Sequence, residues 1–324
     1  MENRELKEEL VEKVKKEKNT SKSLMIIIII LLLCIIGLLA AIFVPTLIEA
    51  SNKEEQQSEQ TEVVKEIKNI DVLKELSVKV DTVLGLKETE YKQSINGIGY
   101  NHGHQVLKKG LTDLVKQRTI LKNVQWSPMN QEIWQSAKNH SSMQSIIAGY
   151  SESYTYNSTK YVSLDKVHAY SKKLFGEELK TIINEIIECP SYLYDETNKS
   201  FYYPEPQCGG TSVEQAKGYK SKFEEYKDEA YVYVSYAFIM PDESSSSVDF
   251  YDQKYIVYKD FNISENESYY TTRHKDVYQT GLNQYQASSF ELNKDNYKDF
   301  SEYKFTFKKD KNNNYYLTKI EQTK

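Results

Sequence analysis

Near the C-terminus, Tyr303-Lys304-Phe305-Thr306-Phe307 alternates aromatic with polar side chains, Lys308 to Asn314 is a polar break, and Tyr316 to Ile320 resumes the alternation. A period of two puts every second side chain on one face, the pattern of a strand with one buried side, and the polar break between two such runs predicts a hairpin. Working back from this hairpin, Ala230–Met240, Ser247–Phe261 and Asp276–Gln279 are also rich in aromatic and β-branched residues and read as strands. Thr211–Glu229 reads instead as an amphipathic helix, with Val213, Ala216, Tyr219, Phe223 and Tyr226 along one side.

Upstream, Tyr192 to Tyr203 reads as strand, polar turn and strand, bracketed by Cys189 and Cys208. Those are the two cysteines beyond Cys34, and a disulfide between them would close a loop of about 20 residues, with roughly 3 kcal/mol from chain entropy. Two buried thiols are the alternative. Leu164, Val167, Leu174 and Phe175 mark a helix that Ser163 caps and that Gly176 stops in the left-handed region, whereas Glu177–Glu188 fits helix or strand. Before residue 150 helices dominate: Gln105–Asn123 carries a buried face of Val106, Leu107, Leu111, Leu114, Val115 and Leu121, and a short helix beginning at Ser127-Pro128 carries Ile133, Trp134 and Ala137. Leu86–His104, with Gly97, Gly99 and Gly103, reads as a connection. Val63, Ile67, Ile70, Leu73, Leu76, Val80 and Val83 form one apolar stripe along a helix, which packs on the domain behind it or pairs as a coiled coil. The order implies an α+β fold, an antiparallel sheet with covering helices.

Further upstream the chain changes character. Leu24 to Val44 is a run of 21 residues without a charge. A helix of that length covers roughly 30 Å, the thickness of a bilayer's hydrocarbon. Lys13–Lys22 holds five lysines against Glu17, and Glu49–Glu59 holds four glutamates against Lys53. Lysine excess marks the cytoplasmic side. The expected organisation is a cytoplasmic segment at 1–23, a transmembrane helix at 24–48, a helical stalk at 49–86, a mainly helical part of an exterior domain at 87–160 and its α+β part at 161–324. The apolar core is longer than that of a cleaved signal peptide. Leu33 before Cys34, and the apolar stretch after it, do not suit a lipoprotein signal.

Net charge is −5, with 42 Lys and Arg against 47 Asp and Glu. Residues 1–23 contribute +1, so the remainder is acidic, which argues against nucleic acid as a partner. Expected partners are the lipid bilayer through residues 24–48 and a protein or the cell wall.

Candidate chemistry is sparse. His102-Gly103-His104 pairs two imidazoles, but a metal needs further ligands, and a solvated glycine-rich turn is the favoured reading. Asp310, Asn312, Asn314 and Glu321 match positions 1, 3, 5 and 12 of a calcium loop, with Tyr315 where the bend needs glycine, so a polar hairpin turn is expected. Gly149-Tyr150-Ser151-Glu152-Ser153 lacks the second glycine of a hydrolase elbow. No cofactor, catalytic residue or metal site is called for. The 27 tyrosines suit either the sheet's own core or an aromatic face for carbohydrate or peptide, and the core reading is favoured.

Asp165-Lys-Val-His-Ala-Tyr-Ser-Lys-Lys-Leu-Phe-Gly176, Cys208-Gly-Gly210, and Tyr303-Lys-Phe-Thr-Phe307 taken with Asn314-Tyr-Tyr-Leu317 make the chain resemble a loose group of uncharacterised single-span, membrane-anchored exterior proteins of low-GC Gram-positive bacteria. That resemblance implies placement and fold and lends no catalytic residue. The helix-then-curved-sheet order is also similar to exterior domains of the nuclear-transport-factor-like fold, including those of conjugation-channel subunits. Together these readings lead to a membrane-anchored exterior binding or envelope-assembly protein. The competing expectations are an exterior subunit of a conjugation or secretion assembly and a cell-envelope enzyme.

Overall fold

The computed structural model describes residues 64–86, 88–98, 100–186, 191–204, 215–242, 253–263 and 272–324. Residues 64–324 form one compact unit. The expected cytoplasmic segment, the span at 24–48, residues 49–63 of the expected stalk and both Cys189 and Cys208 lie outside the described residues. Among the described residues no helix is long and apolar enough to cross a membrane.

The architecture is α+β and antiparallel, built around a hairpin of β8 (Gln215–Tyr226) and β9 (Glu229–Pro241). Along β9 the even positions Ala230, Val232, Val234, Tyr236 and Phe238 enter the main core, while Ala237 and Ile239 enter a smaller core on the opposite face. Each outer edge of the hairpin serves two strands in succession. On β9, β12 (Ser301–Lys309) pairs over Glu229–Tyr236 and β10 (Tyr255–Ile263) over Phe238–Pro241. On β8, β1 (Lys65–Glu66) pairs with Glu224 and Glu225, and β2 (Ser94–Ile98) pairs with Ala216–Tyr219. β11 (Thr272–Leu282) continues from β10, and β13 (Tyr315–Gln322) from β12.

Four helices cover the main core: α1 (Ile70–Val83), α2 (Tyr100–Lys109), α3 (Asp113–Asn123) and α7 (Leu164–Phe175). α8 (Gln284–Ser289) and a 3-10 turn at Tyr297–Asp299 border the smaller core. A second sheet runs in the order β3 (Ser127–Pro128), β4 (Thr159–Ser163), β7 (Ser200–Pro204), β6 (Tyr192–Asp195), β5 (Glu185–Ile186). Against it α4 (Gln131–Ala137) and α5 (Ser141–Tyr150) bury Trp134, Ala137 and Met143 with Leu193 and Tyr202. α6 (Glu152–Ser158) leads into β4.

Several expectations need correction. Within the expected helix Thr211–Glu229, residues 215–226 are strand β8. Both its faces are covered, so Ala216 belongs to the main core and Tyr219 to the smaller one. A register shift between Lys220 and Lys222 returns Phe223 to the main core. A two-sided strand with a bulge thus reproduces helical spacing. Among the described residues, the stripe expected from Val63 to Val83 is helical only from Ile70. Asn69 caps α1, its Oδ1 accepting from Asp71 N at 2.9 Å, and the preceding residues pair with β8, where Ile67 N donates to Phe223 O at 3.0 Å. Within the folded unit α1 buries Leu76, Val80 and Val83 completely, so the portion of the expected stalk beyond residue 63 packs on the domain.

Leu86–His104, expected as a connection, contains β2 and the start of α2. Gln105–Asn123 is two helices, because Gly110 leaves the first at φ 64° and Thr112 caps the second, accepting from Val115 N at 3.3 Å. Ser127-Pro128 is an edge strand on β4, and the helix after it is capped by Asn130. At α7 the expected signals hold: Ser163 caps it, and Gly176 ends it at φ 75°.

Candidate functional site

α1 and α7 lean over the β12–β13 turn and enclose an open cavity of about 1020 Å³, at the upper end of the range for ligand sites. One wall is the outer face of α1, with Asp71, Lys74, Glu75 and Val78; the other is the end of α7, with Tyr170, Lys172, Lys173 and Leu174. The floor is the turn at Asp310–Tyr316.

Each wall is fixed from within. Asp81 of α1 and Lys220 of β8 form a buried ion pair at 2.7 Å, and Lys220 Nζ also donates to Lys92 O at 2.9 Å. Desolvation raises the Asp81 carboxyl and lowers the Lys220 ammonium, and their contact opposes both shifts. Glu75 bridges Lys79 at 2.9 Å and accepts from Tyr315 N at 3.1 Å, while Lys79 Nζ donates to Tyr315 O, so α1 is bonded to the first residue of β13. On the other wall, a Cβ placed on Gly176 would lie 2.3 Å from the Tyr316 ring. Only glycine lets that ring close over the end of α7.

The groove carries four lysines and three carboxylates. One carboxylate is ion-paired, and the other two are held in their charged form. Glu75 is paired. Asp310 accepts from Asn312 N and Asn314 N at 2.8 Å each, which holds its carboxyl below the usual range, and Asp71 sits in the first turn of α1, where the helix dipole favours an anion. Among the lysines, Lys79 is spent on Glu75, and Lys172 meets Glu178 at 2.7 Å. Lys74 and Lys173 are exposed and make no ion pair among the described residues.

The other sequence candidates fall elsewhere. His102 and His104 are in α2, buried, and not in a solvated turn. Two residues apart on a helix, they point to different sides. His102 Nε2 lies 2.8 Å from Val83 O, whereas the His104 ring packs at 4.0 Å from Phe261 and 4.3 Å from Phe238, centroid to centroid. Among the described residues no group of three His, Cys, Asp or Glu is placed to hold a metal. The Asp310 loop is the expected polar turn, and Glu321, its twelfth position, lies on β13 beside Lys304 at 2.8 Å. Ser151 is a helix cap between α5 and α6 at φ 81°, its Oγ accepting from Tyr154 N at 3.4 Å. Tyr202, Tyr236, Tyr255 and Tyr303 are fully buried, so those tyrosines are core.

Sequence reading overlooked the groove's lysines and tyrosines. Its three contributing stretches lie as far apart as residues 71 and 316, and no local spacing joins them. Comparison of the chain with protein-family models, with curated protein sequences and with solved structures finds no match.

Proposed function

We propose that this chain is a single-span membrane protein, N-terminus in the cytoplasm, whose exterior α+β domain binds a partner of the cell envelope through the groove between α1 and α7. The observation that carries the placement is the uncharged run Leu24–Val44 with lysines before it and glutamates after it. The groove supports a binding role, because it is a large concavity whose α1 wall is tied down by the Asp81–Lys220 pair and by the bonds of Glu75 and Lys79 to Tyr315. A site held this way meets a ligand with little ordering cost.

The test is protease added to intact cells that carry the full chain with a C-terminal epitope. Loss of the epitope, with a short N-terminal piece retained in the membrane, is the expected result. An epitope that survives on intact cells and is lost only after lysis would overturn the placement.

A further inference from the structure

We propose that Asp81 and Lys220 become covalently joined in the mature protein, Lys220 Nζ forming an amide with the Asp81 side-chain carbonyl and so stitching α1 to β8. This goes beyond the placement and the binding role and rests on neither. The two residues are 139 apart in sequence, yet Nζ lies 2.7 Å from Oδ2, to which it donates, and 2.7 Å from Oδ1. Oδ1 is out of hydrogen-bond alignment with Nζ and has no hydrogen-bond partner among the described residues. An atom equidistant from both carboxyl oxygens at that range is about 3 Å from the carbon between them, the separation of a near-attack pair. Lys92 O holds Nζ in place at 2.9 Å, and Val80, Val83 and Leu84 of α1 and Ala216 of β8 are completely buried in the main core.

Amide formation needs a neutral amine and a protonated carboxyl. Burial drives both groups that way: desolvation raises the Asp81 carboxyl, to which the nearby charge of Glu88 adds, and desolvation lowers the Lys220 ammonium. A proton passes from Nζ to the carboxylate inside the pair. The Nζ lone pair then attacks Cγ, the bond from Cγ to the protonated oxygen breaks, and a second Nζ proton leaves with that oxygen as water. One amine and one acid become one amide and one water, with no oxidant or co-reactant, and the remaining N–H is left for Lys92 O. The product is uncharged, which removes the desolvation penalty of two buried ions. The Lys220 and Asp81 side chains are 0 % and 1 % exposed, so water for the reverse reaction is excluded. Lys108 and Asp260, also 2.8 Å apart, are 15 % and 22 % exposed and stay hydrated as an ordinary ion pair.

The test is mass spectrometry of the full-length chain, purified in detergent and then denatured. Its mass should fall one water, about 18 Da, below that of its sequence. Trypsin should release residues 80–87 joined through Asp81 to residues 218–222, uncut after Lys220. Lys220→Arg keeps the positive charge and lacks the nucleophile, so it should show the full mass of its own sequence. A wild-type mass equal to that of the sequence, or recovery of the two peptides unlinked, overturns the proposal. So does a loss of water that persists in Lys220→Arg, or one traced to a single unlinked peptide, which would mark a succinimide at an aspartate. The wild-type peptides decide the matter alone if the Lys220→Arg chain fails to fold.

Discussion

His102 is one residue whose chemistry follows from its surroundings alone. Val83 O can only accept, so Nε2 carries the proton of that 2.8 Å bond, and Nδ1 is a buried lone pair with no hydrogen-bond partner among the described residues. Burial first, and then the positive charge of Lys122, push the imidazole down to about 3. The folded protein therefore keeps His102 neutral, while the unfolded chain protonates it near its ordinary 6.5. Above that pH the contribution to stability is complete. As pH falls from 6.5 towards 3, the unfolded state takes up a proton the folded state refuses, and stability drops by up to about 1.4 kcal/mol per pH unit. Urea titrations at pH 7, 5.5 and 4.5 should show this fall, and His102→Gln should flatten it. Identical slopes in the two proteins would refute the assignment. The sequence presented His102 as part of a solvated Gly-rich turn because Gly103 is a poor helix residue; tertiary packing against Val83 overrode that preference.

At the scale of elements, β8 shows how a correct periodicity can carry a wrong conclusion. Ala216, Tyr219 and Phe223 do recur at helical steps, yet Tyr219 stacks near Tyr297 at 5.3 Å and Phe223 near Tyr91 at 5.7 Å, in separate cores. On a helix the last two would be neighbours one turn apart; on this strand they are roughly 13 Å apart and on opposite faces. Tyr219→Ala and Phe223→Ala should each destabilise by about 3 kcal/mol. Their double-mutant coupling should stay under about 0.5 kcal/mol, and a larger value measured in denaturant would return the segment to the helical reading. By contrast the C-terminal hairpin and α7 were legible residue by residue. There one face is buried and the stop signals are local: Asp310 turning back on Asn312 and Asn314, Ser163 capping, and Gly176 in the left-handed region. The groove was not legible at this scale, since its lysines gain meaning only when α1 and α7 are set on either side of Tyr316.

For the molecule as a whole, the α+β class and the antiparallel pairing followed from the spacing of Tyr303, Phe305 and Phe307 and from the aromatic runs before them. The branching of the sheet did not, because Lys65–Glu66 and Ser94–Ile98 are too short and polar to announce themselves and acquire strand geometry only by lying along β8. The β8–β9 hairpin closes through just Lys227 and Asp228, with Lys227 held at φ 50°. Every other strand of the larger sheet takes its alignment from that corner, directly or at one remove. A chain so arranged has a natural starting point for its own assembly, since the corner unites sequence neighbours and pays little loop entropy. Relieving the corner with Lys227→Gly should quicken refolding, roughly twofold for a gain of about 0.5 kcal/mol, and leave the unfolding rate almost untouched. Stopped-flow chevrons would register this as movement of one limb only, and movement of the other limb instead would mean that nucleation begins elsewhere.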